Sequence, residues 1–201
     1  MDQLIWRLRS LLEKQSTCPP VFWEHRIGRY VKILLEYLKS HGLYDGDAER
    51  IAVVTRLSDF HDVGKSRVPL EILTKPGKLT DKERVLVEKH PIWGWEIIST
   101  AAKEAGADEA TASLAGDICL FHHERWDGKG YPMGLKGNEI SLEIQAVALA
   151  DAYDALCSAR FYKKTMTRKR ALEMIYAGEC GDFPLELCKA LREATEIFQI
   201  A

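Results

Sequence analysis

Apolar residues in this chain recur three and four positions apart, segment after segment, and nowhere alternate for long. That period lays one side of an α-helix against a core, whereas a half-buried strand needs every second residue apolar. From about Val21 to Ser40 the stripe is Ile27, Tyr30, Val31, Leu34, Leu35 and Leu38, with Gly42 as a C-terminal cap. Leu4, Ile5, Leu8, Leu11 and Leu12 mark an opening amphipathic helix, stopped by Cys18-Pro19-Pro20. Residues 1–18 read as that helix, either a cap on the fold or the end of a linker, and residues 19–201 as one domain. Further helices are expected over Asp47 to Asp62, in one turn at Pro69 to Leu73, and from the capping box of Thr80 and Glu83 to Lys89. Others are expected over His90 to Ala105, Asp108 to His123, Ser141 to Ser158, Arg168 to Ala177 and Pro184 to Phe198. Trp93 and Trp95 are expected in the core. No strand, repeat or low-complexity tract emerges, so the expectation is an all-α, single-domain bundle of roughly eight to ten helices.

Composition narrows the function. A formal net charge of -2 argues against a general polyanion surface, and so against DNA or RNA, but leaves room for a local basic pocket that takes a phosphorylated small molecule. The five cysteines form no C-x-x-C pair, which speaks against a disulfide frame or a zinc ribbon and for reduced thiols in the cytoplasm. No apolar run approaches the ~20 residues that span a bilayer. Met1 to Lys14 carries charges throughout and lacks a signal-peptide core.

The chemistry concentrates in His122-His123-Glu124-Arg125-Trp126-Asp127-Gly128-Lys129-Gly130-Tyr131-Pro132. Imidazole is the commonest protein metal ligand. Neighbouring helical side chains diverge by about 100°, so adjacent imidazoles suit two ions side by side better than one. The glycine turn lets backbone and the Tyr131 ring come close to a ligand beside them. A helix end with two surface histidines and a tight turn would give the same string. His61-Asp62 is a second pair at a helix end, and His90 opens another helix. Asp151 interrupts Ala148, Leu149, Ala150 and Ala152, where a lone buried carboxylate is costly without a cation or hydrogen bonds. Each has an ordinary explanation: a salt-bridged terminus, an N-cap, a core arginine pair. Their coincidence favours one shared cavity. Imidazole and carboxylate without thiolate point to iron, manganese, cobalt, nickel or zinc rather than a calcium or magnesium cage. A carboxylate such as Asp62 can bridge two cations ~3.5–4 Å apart.

His61-Asp62-Val63-Gly64-Lys65, His90-Pro91, His122-His123-Glu124, Gly130-Tyr131-Pro132 and Asp151-Ala152-Tyr153-Asp154-Ala155-Leu156 follow the order and spacing of the HD-GYP domain, a branch of the HD phosphohydrolase superfamily. The chain resembles that family over about Ile51 to Ala177. The resemblance implies a helical bundle of the HD phosphohydrolase type that hydrolyses cyclic di-GMP to pGpG and on to GMP, by a metal-bridged hydroxide attacking phosphorus. It implies His61, Asp62, His90, His122, His123 and Asp151 as ligands of non-haem metal ions, iron or manganese, with Asp62 as the bridge and Lys65 neutralising charge on the phosphoryl group. Gly130 and Tyr131, with Arg160 and Lys163, would contact the substrate; by composition alone the two cations belong to a basic surface run reaching Arg170. Trp126 would line the same loop or serve packing. A sensor or receiver module fused to the chain, and a homodimer, are further expectations.

Three departures from the family pattern stand out. A further family ligand on the helix begun at Val21 falls to His25, with its spacing to Arg29-Tyr30 one residue off; another register sets Trp23 there. No glutamate lies one turn earlier, which favours two ions over three. Phe161 stands where the family has proline. The C-terminal family pattern is rearranged to Gly181-Asp182-Phe183-Pro184, with an effect expected only on the closing helices. Rival readings are an HD-type hydrolase of another nucleotide, a cyclic di-GMP receptor without turnover, and a purely structural bundle.

Overall fold

A computed structural model describes residues 1–14, 26–158 and 166–198. The described residues are helical, with one isolated bridge between Glu179 and Gly181 and no strand. In order come α1 (Asp2–Lys14), α2 (Arg26–Ser40), α3 (Ala48–Ser58), a 3-10 turn (Val63–Arg67), α4 (Leu70–Leu73), α5 (Asp81–Val87), α6 (His90–Glu104), α7 (Glu109–Phe121), α8 (Leu142–Cys157), α9 (Arg168–Tyr176) and α10 (Leu185–Phe198). The starts follow local chemistry: Asp47, Thr80, Asp108, Ser141 and Thr167 each accept a backbone N–H of the first turn, and Thr80 with Glu83 completes a capping box.

The stripe of α2 is buried as the period demands and packs against α3, α8 and α10. Helix α8 is the central element. Eleven consecutive-face residues from Glu143 to Leu156 are buried, including Leu149 and Tyr153 at 0% exposure, so this helix is covered on nearly every side. Each such leucine contributes about 1.5–3 kcal/mol by leaving water. Leu4 and Leu8 tuck α1 against α6, while Trp6 stays on the surface.

Two expectations change. The third helix ends at Ser58, not Asp62, because Phe60 and His61 donate to carbonyls three residues back and tighten the chain into turns. That break places His61 and Asp62 in the turns after α3 and not on the helix itself. Trp95 is 44% exposed and Trp93 half-buried, so neither belongs to the core. The buried side of α6 is His90, Pro91, Gly94, Ile98, Ala101 and Ala102, and Trp95 lies instead across Gly116 of α7. No described helix is long and apolar enough to cross a membrane.

Candidate metal centre

Four segments converge beside Asp151 of α8. The turn after α3 brings His61 and Asp62, the first residue of α6 brings His90, the end of α7 brings His122 and His123, and α8 brings Asp151. Close backbone packing makes this convergence. A Cβ on Gly64 would meet the His90 carbonyl, and one on Gly94 would meet Cys119, so the 3-10 turn, α6 and α7 pack nearly backbone to backbone. Cys119 adds a thiol hydrogen bond to the Phe60 carbonyl at 3.3 Å; burial, aided by Asp62, pushes its pKa up and keeps it a thiol.

The donor atoms fall into two groups that share one residue. Asp62, His90, His122 and His123 form the first, and His61, Asp62 and Asp151 the second, with the ligand atoms of each group within 4.8 Å of one another. His90 Nε2 and His122 Nε2 approach Asp62 Oδ1 at 3.2 and 3.6 Å. His61 Nε2 lies 3.4 Å from Asp62 Oδ2 and 3.7 Å from Asp151 Oδ1, and His123 Nδ1 lies 4.0 Å from Asp151 Oδ2.

These residues fit cations. The Nδ1 atoms of His61, His90 and His122 donate to the carbonyls of Ser58, Val87 and Cys119, at 2.8, 2.7 and 2.8 Å. A neutral imidazole has one proton, so each of these rings, when neutral, would present a bare Nε2 lone pair. The Nε2 atoms of His90 and His122 nevertheless face each other at 3.2 Å, and Asp62 Oδ1 is buried with no hydrogen-bond donor. Converging lone pairs repel unless a positive centre sits between them. Protonation follows the same logic. Burial lowers the His122 pKa to about 4, and burial with His122 lowers that of His123, so both rings are neutral. Burial opposes an imidazolium at His61, but Asp62 and Asp151 outweigh it and hold its pKa at about 10; a proton there does what a cation would. Burial likewise works against charge on the carboxyls. Lys65 and His61 overcome it at Asp62, and His61 at Asp151, and both stay ionised.

Lys65 reaches back to Asp62 Oδ2 at 2.5 Å, which puts its ammonium at the rim of the cluster. Tyr131 stacks on the His123 ring with centroids 4.6 Å apart and planes at 26°. Gly130 makes that approach feasible: a Cβ there would lie 2.4–2.5 Å from the backbone of His123, Glu124 and Arg125. Burial, with Asp62 and Asp151 nearby, pushes the Tyr131 phenol up, so it stays protonated. His25, Arg160 and Lys163 lie outside the described residues.

Two contributors were not legible in the sequence. Glu124 is buried and binds the loop that follows it, a role hinted at only by a carboxylate placed before a glycine-rich turn whose amides need acceptors. The segment Gly181 to Pro184 touches the site loop, which corrects the expectation that it concerns only the closing helices. Arg125 donates to the carbonyls of Cys180, His122 and Glu124, its guanidinium lies 5.0 Å from the Phe183 ring centroid, and the Trp126 N–H donates to the Asp182 carbonyl. Nothing local in a segment some fifty residues downstream signals this contact.

A helical bundle with paired histidines and aspartates gathered beside its central helix is the architecture of a phosphohydrolase-type metal domain, and residues 25–179 match the HD domain. This chain belongs to the HD-domain family. It is 37% identical over 205 residues to a probable cyclic di-GMP phosphodiesterase of Vibrio cholerae, a match that takes in 100% of this chain and 46% of that protein. It is 30% identical over 200 residues to a 3'3'-cGAMP-specific phosphodiesterase of the same organism, over 98% of this chain and 35% of the relative. The chain thus spans less than half the length of these relatives. Among solved structures, the fold resembles that of Bd1817, an HDG"Y"P protein from Bdellovibrio bacteriovorus, with a TM-score of 0.63 at 20% identity, over 85% of this chain and 51% of that one.

Proposed function

We propose that this chain is the hydrolytic module of a cyclic di-GMP phosphodiesterase of the HD-GYP type. Asp62 carries the reading: one ionised carboxylate is common to both ligand groups, with a separate oxygen turned toward each. His90, His122, His123 and Asp62 would hold one cation, and His61, Asp62 and Asp151 the other. The nitrogen and oxygen donor set suits iron or manganese. Cations there would polarise phosphoryl oxygens and make water acidic enough to serve as a nucleophile near neutral pH.

The chain's own residues do the rest. Lys65 neutralises charge that grows on the phosphoryl oxygens. Gly130 and Tyr131 form a wall next to His123 and contact the nucleotide. Arg160 and Lys163 are assigned to its phosphates. One water adds across a phosphodiester bond to give linear pGpG, and a second hydrolysis gives GMP. That the relatives are more than twice as long supports a fused sensor or receiver module. Similarity to a cGAMP-specific enzyme favours a second reading, in which the hybrid dinucleotide is the substrate.

Incubation of the purified protein with Mn2+ and each cyclic dinucleotide, with products read by chromatography, tests both. We expect pGpG from cyclic di-GMP, and no product from Asp62→Ala. Wild-type rates in that variant would place the chemistry elsewhere, and faster turnover of cGAMP would reassign the substrate.

A further inference from the structure

Glu124 directly follows the paired histidines and is 1% exposed. A carboxylate so placed invites assignment as a ligand, yet its oxygens turn the other way. Oε1 accepts the N–H groups of Met133 and Gly134 at 2.7 and 3.1 Å, and Oε2 accepts that of Leu135 at 3.0 Å. Three amides of an irregular loop, with no ladder to join, are satisfied by one charged side chain.

The same loop folds back onto the ligand segment. The Tyr131 N–H donates to the His123 carbonyl at 3.2 Å, and Gly130 seats against the backbone of His123, Glu124 and Arg125. His123 also differs from the other imidazoles. His61, His90 and His122 are aimed by Nδ1 bonds to carbonyls three residues upstream. His123 instead points Nδ1 toward Asp151, and the Tyr131 ring covers its face. Its orientation is therefore set by packing rather than by its own backbone.

We propose that Glu124 is a positioning residue. Through three amides it pins the 130–135 loop, the loop lays Tyr131 on His123, and the loop so held forms one wall of the dinucleotide site. This rests on the phosphodiesterase reading above. The role differs from that of a metal ligand, because its loss loosens the wall while the ions stay.

Glu124→Gln tests it. The amide keeps the size and one accepting oxygen but sets an NH2 group against the Leu135 N–H. In the manganese-loaded protein we expect KM for cyclic di-GMP to rise about tenfold with a smaller change in kcat, as one charge-assisted bond is lost. Metal per chain should stay at the wild-type value, and amide hydrogen exchange at Met133, Gly134 and Leu135 should speed up while α8 is unchanged. An unaltered KM with unaltered exchange overturns the proposal, as does a fall in kcat that tracks loss of metal at constant KM. If the glutamine variant does not fold, Glu124→Asp serves: it keeps the charge but falls one methylene short, and the same KM and exchange changes are expected. Absence of turnover in the wild type would sink the phosphodiesterase reading instead. Exchange then decides alone, and loop amides as protected in the variant as in the wild type would refute the anchoring.

Discussion

Replacing Gly64 by alanine should remove a metal without touching a ligand. Gly64 lies two residues past Asp62, where the 3-10 turn meets α6. A Cβ built there falls 1.9 Å from the His90 carbonyl oxygen and 2.5 Å from the Gly94 nitrogen. Both are backbone atoms, so no side chain can swing aside. Ordinary carbon–oxygen contact begins near 3.4 Å, so the turn and α6 must part by roughly 1.5 Å. That motion separates Asp62 from His90, whose donor atoms now lie 3.2 Å apart. Constellations of this kind tolerate about 0.5 Å. Overpacking itself costs about 1–3 kcal/mol. The control is Gly94→Ala at the same interface, where the added carbon meets the Cys119 side chain at 3.1 Å and asks for a far smaller shift. Elemental analysis after anaerobic purification should find about two ions per chain in the wild type and in Gly94→Ala, and one or fewer in Gly64→Ala. The rise in melting temperature with added Mn2+ should be smaller in Gly64→Ala than in the wild type. A full metal complement in that variant, with its Mn2+-dependent shift retained, would refute the idea that backbone contact at Gly64 sets the ligand spacing.

Mn2+ at a hundred times its dissociation constant should stabilise the metal-stripped protein by about 2.7 kcal/mol, or roughly 5–10 °C in Tm for a chain of this size. No shift in the wild type would contradict the metal centre. Leu149→Ala, at a position with 0% exposure in α8, should cost about 2–5 kcal/mol in denaturant melts, and a loss well under that would show that α8 is less central than it looks. Glu143 is held by Arg50 at 2.7 and 2.6 Å and by the Tyr44 hydroxyl at 2.6 Å. Burial opposes its ionisation, but these bonds outweigh it and depress its pKa. Its stabilisation is therefore complete above the ordinary glutamate pKa of about 4.3 and lost as pH falls through the lowered value. Glu143→Gln should cost about 1–2 kcal/mol at pH 7 and progressively less as pH falls below the ordinary glutamate value, and an equal loss at every pH would refute the linkage.

Helix identity was legible in the residues themselves. The stripe from Ile27 to Leu38, the Thr80–Glu83 capping box and the Ser141 start all depend on groups within a turn or two of each other, so local chemistry decides them. The residues that cluster were legible as well, because paired imidazoles and a carboxylate inside an apolar run are anomalous wherever they occur. Their spacing was not. Asp62 faces His90 because two glycine-lined backbones touch, and Tyr131 covers His123 within a loop whose amides Glu124 binds nine to eleven residues further along the chain. Gly181 to Phe183 reaches Arg125 from the far end of the fold. Such contacts pair residues that no local period relates, and close packing settles them only once every helix is in place. Residue order alone sets which side chains are available and which helix faces must be buried; the packing of the helices selects which of them meet.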